Sequence, residues 1–295
     1  MSSTHAPLFE QLRPRLQRMA YRMLGAVAEA EDVVQDAWLR WQAADREAID
    51  NHEAWLVTVA TRLAIDRLRA AKAERTHYVG TWLPEPLLTD AAPGPQDQLE
   101  RADDISYAFL ALLERLTPDA RAAFLLREVF DTDYPELALT LGKSEAACRQ
   151  LVHRARTQLR AAKPRFKVAP ETHMRLLQGF ADAAARGDMA SLTALLAEDA
   201  ELIGDGGGKV PSFGRPLQGG RRIAQLYFAV WLRHPQRLRM EVVQLNGAPG
   251  LLRFIDGQLE SAQTFVVEDG RIVRLHAQRN PDKLAALAAA WAARR

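Results

Sequence analysis

A chain of 295 residues, 48% hydrophobic and 26% charged, has room for two or three domains with real cores and is too mixed for a disordered or fibrous protein. Lys+Arg 39 against Asp+Glu 37 leaves a net charge of +2, so the bulk charge argues neither for nor against nucleic acid. One cysteine excludes an internal disulfide and a multi-cysteine zinc site. No run approaches the roughly 18 uninterrupted apolar residues of a membrane helix, and the polar N-terminus lacks the apolar core of a signal peptide. A soluble, cytoplasmic protein with no metal, cofactor or membrane contact is expected.

The first 75 residues read as helix. In AEAEDVVQDAWLRWQ, Ala30, Val33, Val34, Ala37, Trp38 and Trp41 form one apolar stripe at helical spacing. Asp32, Gln35 and Asp36 form a polar face beside it, fit for a partner or for solvent. The next helix, EAWLVTVATRLAIDRLRAAKAER, carries Arg62, Arg67, Arg69, Lys72 and Arg75 against Asp66 and Glu74. Such a run suits a phosphate backbone, and equally complements the C-terminal end of the helix dipole.

Residues 77–102 form a linker containing Trp82, Leu83, Pro84, Glu85 and Pro86, with Pro93 and Pro95 further on. Its prolines forbid a continuous helix and favour extended backbone. Trp82 and Leu83 offer an apolar contact strip, the other reading being a semi-rigid spacer.

A second helical domain spans 103–165. Asp133 with Glu136 three residues on is a capping-box variant. Gly142 supplies a turn, and Ser144 caps the following helix. There Cys148, Leu151, Val152, Ala155 and Leu159 make a buried stripe, and Arg149, His153, Arg156 and Arg160 an exposed one flanked by Gln150 and Arg154. A short helix, a glycine turn and a basic helix is the geometry that enters a major groove. Cys148 falls on the buried side and reads as core.

KPRFKVAP, at 163–170, is a basic, proline-bounded joint. The third domain, 170–295, reads as α+β, with helices first and antiparallel strands after. ETHMRLLQGFADAAARG, DMASLTALLAED and GRRIAQLYFAVWLRH read as helices. LRMEVVQL, LLRFID and SAQTFVVEDGRIVRLHAQ read as strands, with NGAPG and the Asp269–Gly270 pair as turns.

DGGGK, residues 205–209, looks like a phosphate cradle but fails as one. Ile203 occupies the first glycine position of a Walker-type loop, Val210 follows the lysine, and Pro211 and Gly214 prevent a helix from starting there. For acid–base chemistry in an apolar pocket the candidate groups are His276 and Asp205. A lone strand histidine is more often structural, and an aspartate among glycines more often forms a turn.

Together the helical blocks resemble a bacterial sigma factor of the extracytoplasmic-function group. AEDVVQDAWLRW resembles the region-2 helix that docks on the clamp helices of RNA polymerase. AWLVTVATRLAIDRLR resembles the helix that reads and melts the −10 element. LTPDARAAFLLREVF and YPELALTLGKSEAACRQLVHRARTQLR resemble region 4, which reads the −35 element. YVGTWLPEPL, DGGGK and NPDKL resemble hallmarks of the subgroup fused to a SnoaL-like C-terminal domain, similar in fold to ketosteroid-isomerase-like cones.

The resemblance implies a multidomain fold: an all-α region-2 bundle (1–76), an all-α region-4 helix–turn–helix and a C-terminal α+β cone. It places Asp32, Gln35 and Asp36 against core RNA polymerase. Thr61, Arg62, Asp66, Arg67, Arg69 and Lys72 fall where −10 contacts occur, and Asp45 to His52 correspond to the loop that captures a flipped base. Arg62 stands where relatives often have asparagine. Ser144, Arg149, Gln150, His153, Arg154 and Arg156 fall where −35 contacts occur.

Contacts between domains are implied for Trp82–Pro86, for Asp205, Gly206, Gly207, Gly208 and Lys209, and for Asn280, Pro281, Asp282, Lys283 and Leu284. The implied function is transcription initiation with core polymerase and promoter DNA, regulated in cis by the third domain, with no enzymatic activity and no separate anti-sigma factor. The alternative is a bifunctional protein whose cone binds an unknown small ligand or acts as an isomerase or cyclase.

Overall fold

The computed structural model describes residues 6–75, 78–89, 106–160 and 169–294. Pro93, Pro95 and most of the basic joint at 163–170 therefore lie outside the described residues. The chain forms two compact units, each assembled from two stretches of sequence: 1–76 with 112–162, and 77–111 with 163–295.

The first unit is helical. α1 (Ala6–Leu24), α2 (Val27–Ala43) and α3 (His52–Glu74) pack through Leu16, Met23, Val33, Ala37, Leu56 and Ala60. Between α2 and α3 the chain makes one short 3-10 turn, Arg46–Ala48. α4 (Tyr107–Leu113) follows and spans the unit boundary.

α5 (Pro118–Glu128), α6 (Tyr134–Leu141) and α7 (Glu145–Arg160) complete this unit. The Asp133 carboxylate accepts from Glu136 N at 2.8 Å. Gly142 ends α6 with φ of 62°, a left-handed conformation that glycine adopts without strain. Ser144 Oγ accepts from Ala147 N at 3.2 Å. These are the caps and turn expected, and Cys148, Val152, Ala155 and Leu159 are buried beneath them.

The fully buried Arg121 ties the two halves of this unit together. Its Nη1 donates to Met23 O at 2.6 Å and to Glu114 Oε1 at 2.7 Å, and its Nε to Leu113 O at 3.0 Å. Arg75 donates to the other Glu114 oxygen at 2.7 Å.

The second unit is an α+β cone. α8 (Pro170–Arg186), α9 (Met189–Leu195) and α10 (Gly220–Arg233) cover one face of a seven-stranded sheet ordered β1-β4-β5-β6-β7-β2-β3. The strands are β1 (Leu88–Thr89), β2 (Leu196–Asp205), β3 (Leu217–Gln218), β4 (Leu238–Leu245), β5 (Ala248–Ile255), β6 (Gln258–Glu268) and β7 (Arg271–Gln278). Phe180 is the hub of the inner core, edge-on to Tyr227 at 4.9 Å and to Phe265 at 5.2 Å.

The opposite face is also covered. α11 (Pro281–Ala292) seats Leu284 and Leu287 against Leu245, Leu252, Phe254 and Ala262. β1 comes from the linker and pairs antiparallel with β4, Leu88 opposite Leu245 and Thr89 opposite Gln244.

Three expectations are corrected. The helix read in DMASLTALLAED stops at Leu195, and Leu196–Asp205 is a strand. That strand runs parallel to β7, so the sheet is mixed rather than antiparallel. The NGAPG turn is confined to Asn246–Gly247, because Ala248 already pairs with Leu245.

Candidate promoter-reading surface and linker clasp

In the first unit most of the residues expected to contact polymerase and the −10 element are exposed or half-buried on α2 and α3. Arg67 bonds Asp32 at 3.0 Å and Asp36 at 2.7 Å, while Gln35 is exposed beside them. Asp66 and Lys72 are exposed as well, and Asp66 accepts from Arg69 at 3.2 Å. Thr61 is a correction: it is 1% exposed, with its hydroxyl on Met19 Sδ at 3.4 Å, so it packs the core and presents nothing to a base.

The loop from Asp45 to His52 folds around Trp41. His52 lies edge-on to that indole at 5.1 Å, and the Arg46 guanidinium stands 5.7 Å above it.

Arg62 spans from α3 to the end of α6. Its Nε donates to Thr140 O at 3.0 Å and its Nη2 to Leu139 O at 2.8 Å, at the C-terminal turn where helix carbonyls run out of intrahelical donors. Thr58 and Thr140 share a hydroxyl bond at 3.1 Å. Asp119 at the start of α5 receives Arg69 at 2.8 Å and Lys143 at 3.0 Å. Burial opposes ionisation of Asp119, but Lys143 and Arg69 outweigh it and hold its pKa below the ordinary carboxylate range.

On α7, Arg149, Gln150, His153, Arg154 and Arg156 are all exposed on one side, and Ser144 caps the start of the helix. Arg149 is oriented by Glu145 at 2.6 Å and by the Tyr134 ring, whose centroid is 4.9 Å from its guanidinium. Arg156 is held by Glu128 at 2.5 Å.

The second unit gathers the linker, DGGGK and NPDKL around one carboxylate. Asp205, 0% exposed, ends β2. Its Oδ1 accepts from the Tyr78 hydroxyl at 2.6 Å and from Gly207 N at 3.0 Å; its Oδ2 accepts from Leu83 N at 2.9 Å, Lys283 Nζ at 2.7 Å and Gln278 Nε2 at 3.2 Å. It is neither a simple turn former nor a base facing the cone.

Lys283 Nζ also donates to Leu83 O at 2.7 Å and lies 3.8 Å from the Trp82 ring centroid. Gln278 Nε2 reaches Leu83 O and Pro84 O, and the Tyr107 hydroxyl donates to Pro84 O at 2.8 Å. Pro84 and Pro86 are buried and Glu85 is half-buried.

At Gly207, φ is 62° and a Cβ would collide with the Asn280 amide. Asn280 caps α11 by accepting from Asp282 N, Pro281 opens the helix, and Lys209 pairs with Asp282 at 2.7 Å. Leu284 belongs to the outer core. Lys209 and Gly206–Gly208 thus meet their partners within this unit.

His276 takes the structural place expected of a lone strand histidine. It lies on the outer face beside Tyr107, with ring centroids 6.0 Å apart, and burial followed by the nearby Arg274 charge pushes its pKa down to about 3. The inner face instead encloses a cavity of about 400 Å³ lined by Leu202, Gly204, Tyr227, Arg253, Glu260 and Arg279, among others. Sequence reading missed Arg253, Glu260 and Arg279, whose proximity arises only from strand pairing.

Comparison with known proteins defines the family. The Sigma-70 region 2 family matches residues 8–74, and the Sigma-70 region 4 family matches 106–159. The chain belongs to the ECF RNA polymerase sigma factors, which bind core RNA polymerase and promoter DNA to initiate transcription. It is 38% identical over 286 residues to the sigma factor SigJ of Mycobacterium tuberculosis, covering 93% of this chain and 91% of that one. It is 30% identical over 274 residues to the probable sigma factor SigI of the same species, covering 92% of each. The crystal structure of Mycobacterium tuberculosis SigJ superposes with a TM-score of 0.76 at 34% identity, over 95% of this chain and 98% of that one.

Proposed function

We propose that the chain reads two promoter elements through α3 and α7, and that the C-terminal unit regulates this in cis by holding the segment between them. The clasp carries this reading: residues 78–89, which lie between the two promoter-reading helices in sequence, are seated on the C-terminal sheet by Asp205, Gln278, Lys283 and the β1–β4 ladder. Asp32, Gln35 and Asp36 are assigned to core polymerase. Arg62, Asp66, Arg67, Arg69 and Lys72 are assigned to the −10 element, and Ser144, Arg149, Gln150, His153, Arg154 and Arg156 to the −35 element.

Elements named for positions about 25 base pairs apart are separated by about 85 Å of duplex, at about 3.4 Å per pair. A compact unit of this length has a radius of gyration near 14 Å, by the usual size scaling (roughly). Reading both elements therefore requires the Arg62 and Asp119 contacts to open, with enough chain between α3 and α7 to allow it. By retaining 78–89, the clasp sets how much chain is available. Such control works inside the cytoplasm without a separate anti-sigma factor.

The cone acts by binding rather than by catalysis. Burial opposes ionisation of Glu260, but Arg253 and Arg279 overcome it and hold the group below the usual carboxylate range, a poor state for a general base. Burial also raises the Tyr227 hydroxyl to about 12.

Reconstituted transcription with core polymerase tests this reading, comparing the full chain with an Asp205→Asn/Asn246→Ala variant on promoters of graded spacer length. The variant should accept a wider range of spacers. An identical spacer profile would refute regulation through the clasp, and no promoter-dependent transcript from either chain would refute the promoter assignments.

A further inference from the structure

We infer that the cone cavity is a binding site for a small organic carboxylate with an apolar body. The cavity, about 400 Å³, has the size of a small-molecule site. Phe213, Leu226, Val230, Ile255 and Ala277 give it apolar walls. Its polar groups converge at one place.

Glu260 Oε2 accepts from Arg253 Nε at 2.7 Å and lies 2.6 Å from its Nη2, while Glu260 Oε1 accepts from Arg279 Nε at 2.7 Å. Two guanidiniums thus share one carboxylate and, with Arg233 also on the wall, leave an excess of positive charge there. Arg253 is 6% exposed, so this charge is not simply solvated. A buried cation without full compensation is costly, and a guest anion removes that cost.

The donors are also arranged for a guest. Arg279 Nη1 donates to Pro211 O and its Nε to Glu260 Oε1, with Nη2 ion-paired to the same oxygen. Arg253, by contrast, keeps Nη1 without an acceptor among the described residues, and a guanidinium edge matches a carboxylate. His234 Nδ1, also on the cavity wall, is shielded from solvent and has no partner among the described residues. The Tyr227 hydroxyl is already spent on Gln263 at 2.6 Å, so it positions the wall rather than the guest.

The probes are 4-phenylbutyrate and its neutral counterpart 4-phenylbutan-1-ol, titrated calorimetrically into the full-length protein. The acid should bind about tenfold tighter than the alcohol, as a charge-assisted bond in a shielded site implies. Arg253→Gln should abolish that preference while leaving the affinity for the alcohol unchanged. Val230→Trp, which fills the cavity without touching the charged cluster, should weaken both probes by about tenfold or more. Equal affinity for acid and alcohol, or no binding of either, overturns the inference. So does a Val230→Trp protein that binds both like the parent, and this arm stands even if Arg253→Gln fails to fold.

Discussion

Asp205 receives five hydrogen bonds where no solvent reaches it, and Lys283 is its only cationic partner among the described residues. Removing one member of such a pair strands the other, which typically costs more than the pair contributes when whole. Asp205→Asn should destabilise the protein by about 3 kcal/mol, read from urea unfolding. Because Lys283 lies against the Trp82 ring, indole fluorescence should report the same transition. Adding Lys283→Met should recover part of the loss, and a strictly additive double mutant would contradict the pairing.

His276 makes a separate prediction, about pH. Its folded-state pKa is depressed to about 3 because burial, and then Arg274, disfavour the charged ring. The unfolded chain binds that proton near pH 6.5, so the stabilisation is complete above about 6.5 and is lost progressively as pH falls toward 3. Each pH unit within this window should cost up to about 1.4 kcal/mol. His276→Gln should flatten that slope in urea melts recorded between pH 4 and 7.

Among elements, the start of α5 stands between two cationic groups assigned to promoter DNA or adjacent to it. Asp119 holds Arg69 of α3 and Lys143 of the turn before α7. An acidic residue in that place competes with phosphate for both. Asp119→Ala should therefore raise affinity for a promoter fragment several-fold at moderate salt, roughly 3- to 10-fold, measured by fluorescence anisotropy. A fall in affinity would mean that Asp119 organises the DNA surface instead of masking it. On α7, Arg149→Ala should cost about 1–3 kcal/mol and relax preference at one base pair of the −35 element, which a panel of substituted duplexes would show.

The helix–turn–helix was legible because its determinants are local: Asp133 three residues before Glu136, a glycine forced left-handed, and a serine at a helix start. β2 was not. Its burial is irregular around a register shift between Leu196 and Glu201, so LAEDAELIGD shows neither helical nor alternating period. Gly207, which passes against the Asn280 amide, is a close backbone approach that only glycine permits. Nothing local could show that Asp205 would sit beneath the linker, or that Arg253, Glu260 and Arg279 would meet. Those groups are joined only by pairing across β5, β6 and β7.

At the scale of the whole molecule, the chain passes between its two compact units at 76–77, 111–112 and 162–163. Ending the polypeptide at residue 168 is therefore not a simple removal of one domain. It deprives Leu83, Pro84 and β1 of the sheet that buries or pairs them. Such a truncation should bind more of an apolar dye than the full chain and aggregate sooner on warming, measured by dye fluorescence and light scattering. Replacing 78–89 in the truncated chain by a glycine-serine segment should suppress both effects.

The same interleaving governs how such a protein can be recombined. A single crossover near residue 163 would deliver a sheet lacking its edge strand to a recipient whose linker was never shaped to supply one. The heritable cassette is discontinuous: 163–295 together with 77–111. A graft that exchanges both pieces should fold in its new host, whereas one that exchanges the C-terminal piece alone inherits an orphaned edge.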